Sequence, residues 1–179
     1  MTYSQEDETL RPYILSVIMH NEPGALARIV GLLSGRGFNI NSLTVAPINS
    51  RVSRMTLVCP APASSRQVID QIMHQIQKLI PVTRVRDLTD DPHRVDAELT
   101  ILRVDVSQKV KREKACFIAQ TFGAVELSRT ARSIVFTYHE PRLATFQEIA
   151  SQLGELGNVA VARGGLVSLG GRKTLREVR

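Results

Sequence analysis

His20-Asn21-Glu22-Pro23-Gly24-Ala25-Leu26 sits where an apolar stretch of strand length stops and an apolar helix begins. Residues 13–19 form a short, mostly apolar run. From Leu26 onward, apolar side chains recur at Leu26, Ile29, Val30 and Leu33, the one-face spacing of an α-helix. Between the two, Asn21 is placed to cap the helix, and Pro23 suits its first turn, where a missing N–H costs nothing. Gly24 puts no side chain over the unpaired N–H groups of that turn, so a carboxylate or phosphate can approach the positive end of the helix dipole. Taken alone, the seven residues describe no more than a well-made strand-to-helix turn.

The residues that follow give the turn a context. Arg36-Gly37 ends the helix, and residues 38–46 open a second strand with Asn39 and Asn41 at its start. Residues 53–59 read as a third strand, broken by Pro60-Ala61-Pro62. Ser64 or Ser65 then caps a second helix with an apolar stripe at Val68, Ile69, Ile72, Met73, Ile76, Leu79 and Ile80. Pro81 stops it, and residues 82–88 form a fourth strand. The order β-α-β-β-α-β over residues 12–89 predicts a ferredoxin-like unit: four antiparallel strands with both helices on one face. In that arrangement the second strand lies at a sheet edge. It is apolar and nearly free of charge, which invites pairing with another copy of the chain.

Residues 89–93, Thr-Asp-Asp-Pro-His, read as a linker. Beyond it the same order recurs. A long strand over residues 95–106 has Val95, Ala97, Leu99, Ile101, Val104 and Val106 as inward positions, with one change of phase. A basic helix spans about residues 108–121, two strands cover 124–127 and 133–138, and Pro141 opens a helix with Leu143, Phe146, Ile149, Ala150 and Leu153 on one face. Residues 159–169 close the unit as a last strand. The chain therefore reads as α+β, with two ferredoxin-like βαββαβ units at residues 12–89 and 90–169, between an N-terminal tail (1–11) and a basic C-terminal tail (170–179).

The chain has 179 residues and a formal charge of +6. The excess is spread, +2 over residues 1–90 and +4 over 91–179, and reads as solvated surface. No apolar run reaches membrane-spanning length, and residues 1–11 carry acids where a signal peptide needs a basic start, so a cytoplasmic protein is expected. Cys59 and Cys116 lack metal-ligand spacing and read as buried, reduced thiols. His20, His74, His93 and His139 show no paired metal spacing, Asp90-Asp91 fits a turn, and no nucleophile with a base is evident. An RNA-recognition module shares the element order but needs aromatic rings on its central strands. Residues 53–59 have none, and aromatics are 4% of the chain. Binding, not catalysis, is the reading that remains.

Asn21-Glu22-Pro23-Gly24-Ala25-Leu26, then Arg36-Gly37-Phe38-Asn39-Ile40-Asn41-Ser42-Leu43-Thr44-Val45-Ala46-Pro47 and Ser53-Arg54-Met55-Thr56, strongly resembles the ACT domain of the small, regulatory subunit of acetohydroxyacid (acetolactate) synthase. The resemblance is close over residues 12–90. Farther on, Ala162-Arg163-Gly164-Gly165-Leu166-Val167-Ser168-Leu169 is similar to the family's closing Ala-Arg-x-Gly strand, whereas residues 109–142 depart from its pattern. It implies a homodimer through ACT edge strands that binds valine or another branched-chain amino acid at the interface. By that resemblance the N–H groups of Gly24, Ala25 and Leu26 receive the carboxylate. Carbonyls of Asn21 and of Asn39 or Ile40 receive the ammonium, and Leu26 with Ile40 lines the aliphatic pocket. It also implies a partner, the catalytic large subunit, which carries thiamine diphosphate, Mg²⁺ and FAD, while this chain carries no cofactor, metal or catalytic residue.

Overall fold

Tyr13, Leu15, Val17 and Met19 alternate along strand β1 (Leu10–His20), and none is more than 3% exposed, so one face of the strand is committed to a core. The computed structural model describes residues 10–62 and 66–171. Helices α1 (Ala25–Ser34) and α2 (Arg66–Gln77) cover that face with Ala25, Ile29 and Leu33 from one and Ile69, Ile72 and Ile76 from the other. Strand β2 (Ser42–Pro47) pairs with β3 (Val52–Pro62), β3 with β1, and β1 with β4 (Val82–Asp87), every pair antiparallel. The order β2-β3-β1-β4 is the ferredoxin-like one, with β2 at an edge.

Three local expectations change. Asn21 does not cap α1: the helix begins at Ala25, and its N-cap is Gly24, with no side-chain hydrogen bond. Strand β1 starts at Leu10, inside the expected tail, because Arg11 and Pro12 pair with Ala61 and Pro60. Correspondingly β3 runs through Pro60-Ala61-Pro62 instead of breaking. Val58 gives its carbonyl to Asn41 on the β2 side, and with period 2 Pro60 and Pro62 turn the same way, beyond the end of β2, where no ladder bond is lost. The expected Ser64 or Ser65 cap and the tail after residue 171 lie outside the described residues.

By connectivity one unit holds the chain up to Asp96 and again from Leu166, and the other is Ala97–Gly165. The boundary differs from a cut at residue 90 because the expected strands 95–106 and 159–169 each divide in two. Strands β5 (Val95–Ala97) and β10 (Val167–Leu169) pair as a ribbon in the first unit. It lies on the sheet face opposite the helices, where Leu166 packs with Ile14, Val58 and Leu88. Leu166 N–H donates to Ser42 Oγ at 2.8 Å, and Thr44 Oγ1 donates to the Leu166 carbonyl at 2.6 Å. Ser168, fully buried, donates its N–H to Thr56 Oγ1 and its hydroxyl to Asp96. The Asp91 carboxylate accepts N–H bonds from His93 and Gly171, which hold it below the usual carboxylate range, so the expected linker is a hydrogen-bonded turn.

The second unit places β6 (Leu99–Asp105), α3 (Lys109–Thr121), β7 (Val125–Arg129), β8 (Ser133–His139), α4 (Leu143–Gly154) and β9 (Asn158–Arg163) in sheet order β7-β8-β6-β9. Its inward β6 residues are Thr100, Leu102 and Val104, continued by Val106; Val95, Ala97, Leu99 and Ile101 are exposed, contrary to expectation. Apolar residues occur on both faces of this strand, so alternation alone does not say which face the helices cover. Leu143, expected inward, is 51% exposed, while Ile149 and Leu153 are buried.

The two thiols differ. Cys59 is fully buried, and burial pushes its thiol up to about 11. Cys116 is only half-buried, with Arg129 Nη2 3.1 Å from its sulfur. A maleimide at neutral pH should therefore modify one thiol in the folded protein and the second only after unfolding; equal rates would remove Cys59 from the core. Because the unfolded chain releases the Cys59 proton first, this thiol lowers stability as pH rises from about 9 towards 11.

Candidate functional site

The chain leaves β1 through a turn held by backbone bonds: His20 N–H to the Pro81 carbonyl at 2.7 Å and Asn21 N–H to the Arg51 carbonyl at 2.8 Å. Gly24 follows with φ +82°, a left-handed conformation that any side chain would strain, and a Cβ placed there would meet nothing within 4 Å. Ala25 is buried and anchors the first turn to the core, while Leu26 is 39% exposed. The turn contains no acidic residue, so nothing within it offsets the positive helix end. Ala25 N–H is drawn to the Glu22 carbonyl at 3.3 Å, a long bond that weakens its claim as an anion donor relative to Gly24 and Leu26. Glu22 itself faces Arg28 at 3.7 Å in solvent.

Asn39 and Ile40 precede β2 instead of forming part of it. Asn39 is exposed, its Oδ1 accepting the Ile40 N–H at 2.9 Å, and Ile40 is half-buried against the core. These two residues and Gly24 are at opposite ends of edge strand β2. Ser42 lies opposite Val58 and Val58 opposite Ile14, near the middle of β1; Pro47 lies opposite Ser53 and Ser53 opposite Met19, close to its end. Five residues of strand separate the two levels, about 17 Å. One copy of the chain therefore gathers Asn21, Gly24, Ala25 and Leu26 but not Asn39 and Ile40.

The family model for the AHAS small subunit-like ACT domain matches residues 15–84, the span of this sheet and its helices. The acetolactate synthase isozyme 3 small subunit of Salmonella typhimurium is 35% identical over 169 residues, covering 91% of this chain and 98% of the relative. The chain belongs to the acetolactate synthase small-subunit family. A probable small subunit from Archaeoglobus fulgidus is 34% identical over 160 residues, covering 85% of this chain and 97% of the relative. The crystal structure of the Thermotoga maritima acetolactate synthase small subunit shares the fold, with a TM-score of 0.78 at 23% identity, over 89% of this chain and 96% of that one.

For a small-subunit chain, the sequence signals missed two things. Ser42 and Thr44, read only as part of an edge strand, hold the ribbon through Leu166. Alternating hydroxyl residues in an otherwise apolar strand are the available signal, but their partner is more than a hundred residues away. A cleft of about 460 Å³ lined by Arg66, Arg86, Asp87, Asp90, Asp91, Pro92, His93 and Gly171 also went unread. Arg66 sits 2.9 Å from Asp87 and 3.5 Å from Asp90, so charges of opposite sign compensate within the lining. Among the described residues no group of three or more His, Cys, Asp or Glu side chains could hold a metal ion, and no helix is long and apolar enough to cross a membrane.

Proposed function

We propose that this chain is the non-catalytic regulatory subunit of acetolactate synthase: it raises the activity of the catalytic subunit and makes it sensitive to valine, in the cytoplasm. The observation that carries this reading is the placement of the helix start at one end of edge strand β2 and of Asn39–Ile40 at the other. Two copies related by a two-fold axis pair their β2 edges antiparallel, and that pairing carries Asn39 and Ile40 of a second copy to the Gly24 end of the first. The composite site then suits a zwitterion. N–H groups of Gly24 and Leu26, with Ala25 less available, take the carboxylate. Carbonyls of Asn21 and of Asn39 or Ile40 take the ammonium, and Leu26 with Ile40 takes the branched side chain.

Because the site exists only between two copies, valine and the dimer stabilise each other. Feedback follows if valine binds more tightly to the dimer in a low-activity state of the complex. The catalytic subunit supplies thiamine diphosphate, Mg²⁺ and FAD and condenses two pyruvates, or pyruvate with 2-oxobutyrate. The test is acetolactate formation by the cognate catalytic subunit, with and without this chain, during a valine titration. A rate raised by the chain and lowered again by valine is expected. An unchanged rate in both arms would instead make the chain an ACT sensor for another metabolic enzyme.

A further inference from the structure

Helix α3 is built against its own dipole. Lys109, Lys111, Arg112 and Lys114 crowd its positive end, no acidic residue enters its first turn, and Gln108 caps it without a side-chain bond. Lys111 and Arg112 are tied to the carbonyls of Leu156 and Ala131, at 3.3 and 2.6 Å. Lys109 and Lys114 have no hydrogen bond or ion pair among the described residues. On the same outer face, at i, i+4 and i+7, stand Val110, Lys114 and Phe117. Val110 is 76% exposed and Phe117 71% exposed, while Ala115, Ile118 and Ala119 fill the inner face. Cys116 touches Arg129 and Glu126 of β7, so the helix runs beside an edge strand whose five residues are all exposed, Val125 and Leu127 among them.

We propose that the outer face of α3, with the β7 edge beside it, is the surface that docks on the catalytic subunit, at an acidic rim surrounding an apolar pocket that receives Phe117. The inference rests on the regulatory-subunit reading above. An exposed aromatic residue in an apolar centre flanked by cations is the anatomy of a protein interface anchor. Lysines at a helix N-terminus repel one another and the dipole, and both repulsions are relieved by an acidic partner. A nucleic-acid surface would need more stacking rings than this face offers.

The test uses the full chain and the intact catalytic subunit, with the dissociation constant measured at several salt concentrations. Phe117→Ser and the double variant Lys109→Glu/Lys114→Glu should each raise the dissociation constant about tenfold or more. The double variant should also flatten the salt dependence, with valine binding as in the parent chain and a melting temperature no lower than the parent's, since glutamates suit the start of the helix where lysines do not. Parent-like affinity in both variants, beside a parent chain that does activate, would place the docking surface elsewhere and overturn the proposal. A change confined to the chain's own oligomeric state would overturn it in favour of a contact between copies. Loss only of binding to vesicles of anionic lipid would give the face to a membrane, also against the proposal. Failure of the parent chain itself to bind the catalytic subunit would bring down the regulatory-subunit reading.

Discussion

Gly24→Asp abolishes the valine response and leaves activation of the catalytic subunit in place. The glycine is the N-cap of α1, at φ +82°, with open space where a side chain would go. Aspartate is among the residues that tolerate this left-handed conformation, at a strain of about 1–2 kcal/mol, so the unit still folds. Its carboxylate then occupies the helix end that the ligand carboxylate needs. Two like charges about 4 Å apart repel by about 4 kcal/mol at an effective dielectric of 20, so valine binds on the order of several hundredfold more weakly and no response remains over the parent's titration range. Gly24→Ala separates charge from strain: it carries the conformational cost without the carboxylate and should retain most of the response. The measurements are acetolactate formation over a valine titration and calorimetric valine binding. Parent-like inhibition of Gly24→Asp would remove the helix start from the ligand site, and joint loss of activation and inhibition would point to a folding defect.

The first unit was legible because each of its two helices carries a single apolar face and its element order has one ferredoxin-like closure, even though β1 and β3 also bury Ile14 and Val58 on the other sheet face. Alternation at Tyr13, Leu15, Val17 and Met19 and the helical spacing of Ile69, Ile72 and Ile76 leave a single way to close a core, and β2 fell at the edge where the element order puts it. The α1 cap was misplaced because Asn21 is a good capping residue by type, whereas the backbone turns three residues later, at a glycine that alone accepts positive φ without strain. In β6 both faces carry apolar side chains, so the phase was ambiguous until the helices chose Leu102 and Val104 over Leu99 and Ile101. The split of residues 159–169 was illegible for another reason. What pulls Leu166 and Ser168 away from β9 is a set of hydrogen bonds to Ser42, Thr44, Thr56 and Asp96, and no local pattern encodes partners so distant in sequence. Of the candidate site, only the approximate start of α1 was readable; that Asn39 lies the length of β2 from Gly24 required the strand register.

Arg163→Met should destabilise the second unit without touching the valine response. The Arg163 guanidinium grips the Glu98 carboxylate with two bonds, Nε to Oε1 at 2.9 Å and Nη2 to Oε2 at 2.6 Å, and stacks over the Phe146 ring at 5.0 Å. Glu98 is 4% exposed, so removing the arginine strands a buried charge, a defect that costs about 3–5 kcal/mol. The arginine itself is 35% exposed, so water entering its place offsets part of that, and about 3 kcal/mol is the expected loss. For a unit of this size the melting temperature then falls on the order of 10–20 °C, which thermal unfolding followed by circular dichroism measures. Glu98→Leu combined with Arg163→Met removes both charges and should recover most of the loss, because the penalty comes from the unpaired carboxylate. A double variant as unstable as the single one would assign the arginine's contribution to its packing on Phe146. The Ala162-Arg163-Gly164 segment thereby acquires a structural reason: Arg163 fixes the end of β9 to Glu98, and Gly164 N–H donates to the Leu99 carbonyl at 2.8 Å, so the strand is locked to the start of β6 just before the chain leaves for the ribbon.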